Sequence, residues 1–146
     1  MVQRSFHVRG VCVSCGLLPN SVGVGARPDV YSPVHISDSV FSSNSGGPAV
    51  YATGALDVKL TNVKFVGNSG TSGADLGFNG VMEATVVGCS FLNSIGSADA
   101  GSALIECPTR FEDCTFQDTY ASETGGAVVV SSGATVDFVR TTFERC

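Results

Sequence analysis

Apolar residues fall along this chain in short alternating groups that return at a regular interval, and each group ends on a phenylalanine. Phe41, Phe65, Phe91, Phe116 and Phe143 lie 24 to 27 residues apart and close the segments HISDSVF, KLTNVKF, TVVGCSF, RFEDCTF and DFVRTTF. Five positions earlier stand Ile36, Leu60, Val86, Phe111 and Phe138, and seven earlier stand Val34, Val58, Ala84, Thr109 and Val136. This spacing puts two side chains on one face of a strand and turns the residue between them outward. Two positions before each phenylalanine come Ser39, Val63, Cys89, Cys114 and Thr141, which pair with the ring as a second short inward strand. The odd spacing between the two inward pairs requires a bend. It falls on Asp38, Asn62, Gly88 and Asp113, residue types that tolerate turn conformations.

A third strand follows in each repeat, after a polar stretch and a few small residues, in GGPAVY, SGADL, AGSALI and GGAVV. Its expected inward pairs are Ala49/Tyr51, Ala74/Leu76, Ala103/Ile105 and Ala127/Val129. A period of this length marks a unit that buries its apolar face only by stacking on its neighbours. Three short strands per turn predict an all-β fold, a single-stranded parallel β-helix of about five to six coils with equivalent residues ~4.8 Å apart. Residues 1–146 then form one β-helix domain, with 1–33 as a divergent first coil. In FHVRGVCV, Phe6 and Val8 take the first inward pair and Val11 and Val13 the second, so Val13 stands where later coils carry phenylalanine. The chain starts and stops inside a coil without polar caps, which predicts a fragment of a longer array with adjoining β-helix coils.

Composition agrees with a turn-rich, closely packed β structure: 18 glycines, 14% charged residues and a mean hydropathy of +0.26. No stretch of ten or more residues holds a helical period without glycine or proline breaking it, so no helix is predicted. No apolar run reaches the ~20 residues of a membrane-spanning helix. A net charge of −5 argues against nucleic acid as a main partner.

Two motifs alternate along these repeats. FSSN at Phe41 to Asn44 and FVGN at Phe65 to Asn68 fit F-x-x-N, while GGAV at Gly125 to Val128 and, more loosely, GGPAV at Gly46 to Val50 fit GGA-[ILV]. From about residue 34 onward the chain resembles the repeats of the polymorphic outer-membrane proteins of chlamydiae and similar right-handed β-helix proteins. It departs from them where Phe91, Phe116 and Phe143 are followed by Leu-Asn-Ser, Gln-Asp-Thr and Glu-Arg-Cys. The resemblance implies an extracellular or cell-surface β-helix of adhesin type. It also implies a right-handed coil, the usual hand of parallel crossovers. In physical terms Asn44 and Asn68 stand where the chain must turn and are suited to capping backbone groups or entering the left-handed region. Gly46, Gly47, Gly125 and Gly126 let the next turn pack with no side chain in the way.

Three groups of residues invite a chemical reading. Cys89 and Cys114 share one inward column on neighbouring coils and are expected to form a buried thiol stack rather than a disulfide, because in-register parallel neighbours hold their side chains side by side. Cys12 and Cys15 form C-V-S-C, open to half a zinc site, a redox pair or a local disulfide, and no second pair with ligand spacing accompanies them. No cofactor is expected. The carboxylates are scattered: Asp38 and Asp113 share a column but lie three coils apart, and Glu112 and Asp113 point to opposite faces. That pattern lacks the clustered acids of a polysaccharide lyase or hydrolase. The outward residues between the first inward pair read His7, His35, Lys59, Thr85, Arg110 and Asp137. His35, Lys59 and Arg110 form a candidate ligand stripe for an anionic glycan, set against a plain solvated face of mixed residues. The expected function is a non-catalytic surface or secreted adhesion or scaffold segment binding an extracellular glycan or cell-surface protein. The alternative is part of a pectate-lyase-like carbohydrate-active enzyme.

Overall fold

The computed structural model describes residues 33–131 and 133–146, together with the backbone of two earlier strands, Phe6–Arg9 and Cys12–Ser14. All secondary structure among the described residues is parallel β, and it winds into a right-handed solenoid of about four turns. The expected coil count was five to six; residues 15–32, between the first strands and the next coil, lie outside the described residues. Cys15 and most of the divergent first coil therefore lie there too, and of Cys12 only the backbone is described, so the expected Cys12/Cys15 chemistry lies outside the described residues. The backbone register nevertheless aligns Phe6 with Val34 and Val13 with Phe41.

Sheet A stacks Phe6–Arg9, Val34–Ser37, Asp57–Thr61, Glu83–Val87, Thr109–Glu112 and Val136–Val139 in chain order. Sheet B stacks Cys12–Ser14, Val40–Ser42, Lys64–Val66, Ser90–Leu92, Thr115–Gln117 and Thr142–Glu144 beside it. The bend between them is a single left-handed residue per coil, at Asp38, Asn62, Gly88, Asp113 and Arg140, with φ between 47° and 63°. A second left-handed column, two residues past the phenylalanines, runs through Ser43, Gly67, Asn93, Asp118 and Arg145. Neither column leaves the axial ladder, since Asn62 N donates to Val87 O at 3.0 Å and Gly67 N to Leu92 O at 2.9 Å.

Sheet C comprises Val50–Thr53, Leu76–Asn79, Ala103–Glu106 and Val128–Val130. Its register aligns Val50, Leu76, Ala103 and Val128, followed two residues on by Ala52, Phe78, Ile105 and Val130. The expected pair Ala103/Ile105 is found. Ala74 and Leu76 are both buried as expected, and so are Ala49 and Ala127, but the alternation along the strand runs Val50/Ala52, Leu76/Phe78 and Val128/Val130, so Tyr51 and Val129 stand in the outward column instead of the inward one. Backbone bonds set Ala49, Asp75, Ser102 and Ala127 in the preceding column, and all four are buried as well. Two consecutive residues thus face the interior at this corner, which defeats a simple alternation of two. A fourth, two-residue strand also appears in the polar stretch, where Ser69–Gly70, Ile95–Gly96 and Tyr120–Ala121 form sheet D. The coil therefore has four sides instead of three. The buried glycines allow this: a Cβ on Gly96 would collide with the backbone of Ala100.

Phenylalanines fill the core as one continuous stack. Ring centroids are 5.3 Å apart for Phe41 and Phe65, 5.0 Å for Phe65 and Phe91, 4.4 Å for Phe91 and Phe116, and 5.0 Å for Phe116 and Phe143. Phe111 meets Phe91 and Phe116 edge-on, which knits sheet A to sheet B. Such contacts add to the free energy of burial alone. On the last coil Phe138 and Phe143 remain 42% and 44% exposed.

Candidate functional site

The outward column of sheet A forms as its spacing requires. His35 pairs in register with Lys59, Lys59 with Thr85, Thr85 with Arg110 and Arg110 with Asp137. Its cations are interleaved with acids. His35 Nε2 lies 3.1 Å from Asp57 Oδ2, and Arg110 Nε donates to Glu112 Oε2 at 3.3 Å. Glu83 stands in register with Asp57, two positions before the column. A shallow depression of about 370 Å³ brings Arg110 together with Glu83, Asp137 and the exposed Met82. The face is a ladder of mixed charge, less basic than its cations alone suggest.

The bends carry a second set of charges. Arg140 donates to both carboxylate oxygens of Asp113, at 2.6 and 2.9 Å, and to Glu112 at 2.5 Å. Arg145 makes the same bidentate pair with Asp118, at 2.5 and 2.9 Å. These guanidinium groups hold the carboxyls of Glu112, Asp113 and Asp118 below the usual range. The carboxylates are thus engaged in holding the last coil on the one beneath it. Asp38 and Asp113 stay three coils apart in the bend column, and no three metal-binding side chains converge among the described residues.

The motif residues sit inside the wall. Asn44 and Asn68 are buried in one column, and both Asn44 N and Asn44 Nδ2 donate to Asn68 Oδ1 at 2.9 Å. Asn68 Nδ2 donates in turn to Phe41 O at 3.1 Å and to Asp75 Oδ1 at 2.7 Å. The left-handed conformation falls one residue before each asparagine, on Ser43 and Gly67. Gly46 and Gly125 take positive φ, and Gly126 packs so closely that a Cβ would lie 2.6 Å from the carbonyl carbon of Cys146. Gly47 lies against Gly70 of the next coil.

Asp75, between Ala74 and Leu76, is fully buried. Ser102 Oγ donates to its Oδ2 at 2.6 Å, opposite the bond from Asn68. Burial pushes its carboxyl up to about 6, against hydrogen bonds from Ser102, Ser94 and Asn68 that pull it down. The thiols of Cys89 and Cys114 are unbridged and buried in their shared column, and each donates to the carbonyl two residues earlier. The Cys114 sulfur beside it, together with burial, pushes the Cys89 thiol up, so it packs as an unreactive group.

Sheet C holds a surface feature absent from the sequence reading. Tyr51, assigned inward, points outward and is 38% exposed. Its column continues through Gly77, Leu104 and Val129. A groove of about 280 Å³ opens there, between the Tyr51 ring and Leu104. Starting the alternation at Val50 would have turned Tyr51 outward.

Compared with known proteins, the chain matches no family model, no curated protein and no solved structure. No helix among the described residues is long and apolar enough to cross a membrane.

Proposed function

We propose that this chain is a non-catalytic adhesion or scaffold segment of a secreted or surface-exposed protein, presenting its outer sheet faces to an extracellular glycan or protein. The observation that carries this reading is the in-register column on sheet A, where polar and charged side chains recur once per coil on one face. A rigid ladder with ~4.8 Å between rungs offers an extended polymer many weak contacts at little entropic cost. The interior supports the same reading, because its buried carboxylate and amide donors are spent on one another: Asn44 Nδ2 on Asn68, and Asn68 and Ser102 on Asp75. The carboxylates of the last bends are spent on arginines. The likeness of the F-x-x-N and GGA-[ILV] repeats to those of surface proteins supports an extracellular location.

The test is a glycan-array screen of the purified chain with depolymerisation of the same acidic polysaccharides followed in parallel. Binding without cleavage is expected, with affinity for an anionic glycan reduced at least several-fold by Lys59→Ala combined with Arg110→Ala. Cleavage of any of these polymers would overturn the non-catalytic reading. Unchanged binding of every anionic glycan by the double variant would remove the sheet A column from it.

A further inference from the structure

We propose that the groove on sheet C is a saccharide-binding notch selective for neutral or amino sugars, with Tyr51 as its stacking platform. The argument begins at Gly77. Its φ lies outside the left-handed region, so the backbone there does not demand glycine. What glycine supplies is room: a Cβ at this position would lie 2.9 Å from Tyr51 Cδ2 and 3.0 Å from Pro48 Cγ. Tyr51, Gly77 and Leu104 are consecutive rungs of one outward column; the Tyr51 ring leans over the buried Gly77 into the room the missing side chain leaves, and the groove opens between that ring and Leu104. One wall is the partly exposed Tyr51 ring and the other is aliphatic.

The neighbouring column supplies polar groups at fixed positions. Asn79 and Glu106 are adjacent rungs, and Asn79 Nδ2 donates to Glu106 Oε2. Ser131 Oγ donates to the other carboxylate oxygen, Oε1, at 3.4 Å. Glu106 is exposed, so its oxygens retain lone pairs for a ligand hydroxyl or ammonium group. On the far rim Ser72 Oγ donates to Asp99 Oδ2 at 3.1 Å. No lysine, arginine or histidine lines the groove, and its nearest full charges are the carboxylates of Glu106 and Asp99. An anionic sugar is repelled there; a neutral ring or a protonated amino sugar is accepted.

Size agrees with this chemistry. At about 280 Å³ the groove falls just below the ~300–1,000 Å³ range of small-molecule sites. That suits one or two pyranose rings, whose apolar face stacks on an aromatic side chain while the ring hydroxyls reach fixed acceptors. The inference goes beyond the adhesion reading and does not depend on the sheet A column, from which it differs in face, charge and ligand.

The experiment is a titration of the isotope-labelled chain, followed by amide chemical shifts, with cellotriose, mannotriose, N-acetylchitotriose and chitotriose. Shifts confined to Val50–Thr53, Leu76–Asn79 and Ala103–Glu106 are expected with at least one of the four. Tyr51→Ala, on an exposed residue, is expected to weaken binding at least tenfold. Gly77→Ala, which pushes the ring off the notch, acts in the same direction. Glu106→Gln weakens chitotriose more than the neutral sugars. Lys59→Ala with Arg110→Ala leaves all four unaffected, which separates this inference from the sheet A reading. The proposal is overturned if none of the four shifts these strands at about 10 mM, where a millimolar Kd would nearly fill the site. Binding that survives Tyr51→Ala unchanged overturns it equally.

Discussion

Asp75 is the residue on which burial and chemistry pull hardest against each other. It has no exposed surface, and its two oxygens accept from Asn68 and Ser102. Burial disfavours the charged form more than these donors favour it, so the carboxyl titrates near 6 instead of its ordinary 3.8. The folded chain therefore holds this proton to higher pH than the unfolded chain does. Its contribution to stability is complete below about pH 4 and is lost as pH rises through about 6. The difference between the two values corresponds to about 3 kcal/mol at neutral pH. Asn at this position keeps an acceptor for Asn68 and offers a donor to Ser102 without a charge. Urea melts of the wild type and of Asp75→Asn between pH 4 and 8 are expected to diverge, with the variant gaining about 3 kcal/mol on the wild type across the range. Glu112, Asp113 and Asp118, held low by Arg140 and Arg145, act in the opposite direction, losing stability as pH falls. They are common to both proteins and cancel in the comparison. A difference that stays constant with pH would show that Asp75 ionises as an ordinary carboxylate.

A strand in this fold is defined by its column as much as by its own sequence, and the phenylalanine stack shows how unequal the rungs are. Phe91 is fully buried and stacked between Phe65 and Phe116, whereas Phe143 stacks on Phe116 alone, meets Phe138 edge-on and is 44% exposed. Phe91→Ala is expected to cost about 3–5 kcal/mol in equilibrium denaturation. Phe143→Ala should cost about 1–2 kcal/mol, in proportion to the area it buries. Equal losses would mean that the stack is not the main apolar support of sheet B. The same inequality explains what the sequence displays. Sheets A and B were readable because one left-handed residue always joins them, so the pattern from Val58 to Phe65 repeats from Ala84 to Phe91 without change of length. The path from sheet B to sheet C varies instead: Val50 lies 9 residues after Phe41, Leu76 11 after Phe65, and Ala103 12 after Phe91. Alanine, serine and glycine fill that corner and carry too little hydropathy to mark which side is in. Tyr51 faces outward against expectation for that reason, and neither the burial of Asp75 nor the groove beside Tyr51 is marked in the sequence. The second left-handed column was legible in principle, since Ser43, Gly67, Asn93 and Asp118 are all turn formers.

At the scale of the whole molecule, each coil touches only the coils above and below it, so stability is close to a sum of coil terms and interface terms. The axial ladder runs both ways. Asn62 N donates to Val87 O in the following coil, while Lys64 N donates to Ser39 O in the preceding one. A coil with a neighbour on each side satisfies both sets of amides. The strands Val136–Val139 and Thr142–Glu144 stand at the outer edge of sheets A and B and are bonded on one side only. They also hold the least buried phenylalanine rings among the described residues, although Arg140 and Arg145 clamp them to Asp113 and Asp118. Exposed pairs of that kind contribute little once screened by solvent. Opening at this edge therefore costs only one interface, whereas opening around Phe91 breaks two. Native-state hydrogen exchange on this chain is expected to show the slowest amides in the strands from Asp57–Thr61 to Thr115–Gln117. Amides of Val136–Val139 that are bonded to the coil beneath should exchange at least tenfold faster, about 1.4 kcal/mol less protection. Phe143→Ala should widen that gap while leaving protection at Phe91 unchanged. Uniform protection along the axis would instead require all the coils to unfold as one cooperative unit. The salt bridges at the last bends would then have to couple the edge to the core far more strongly than their exposure permits.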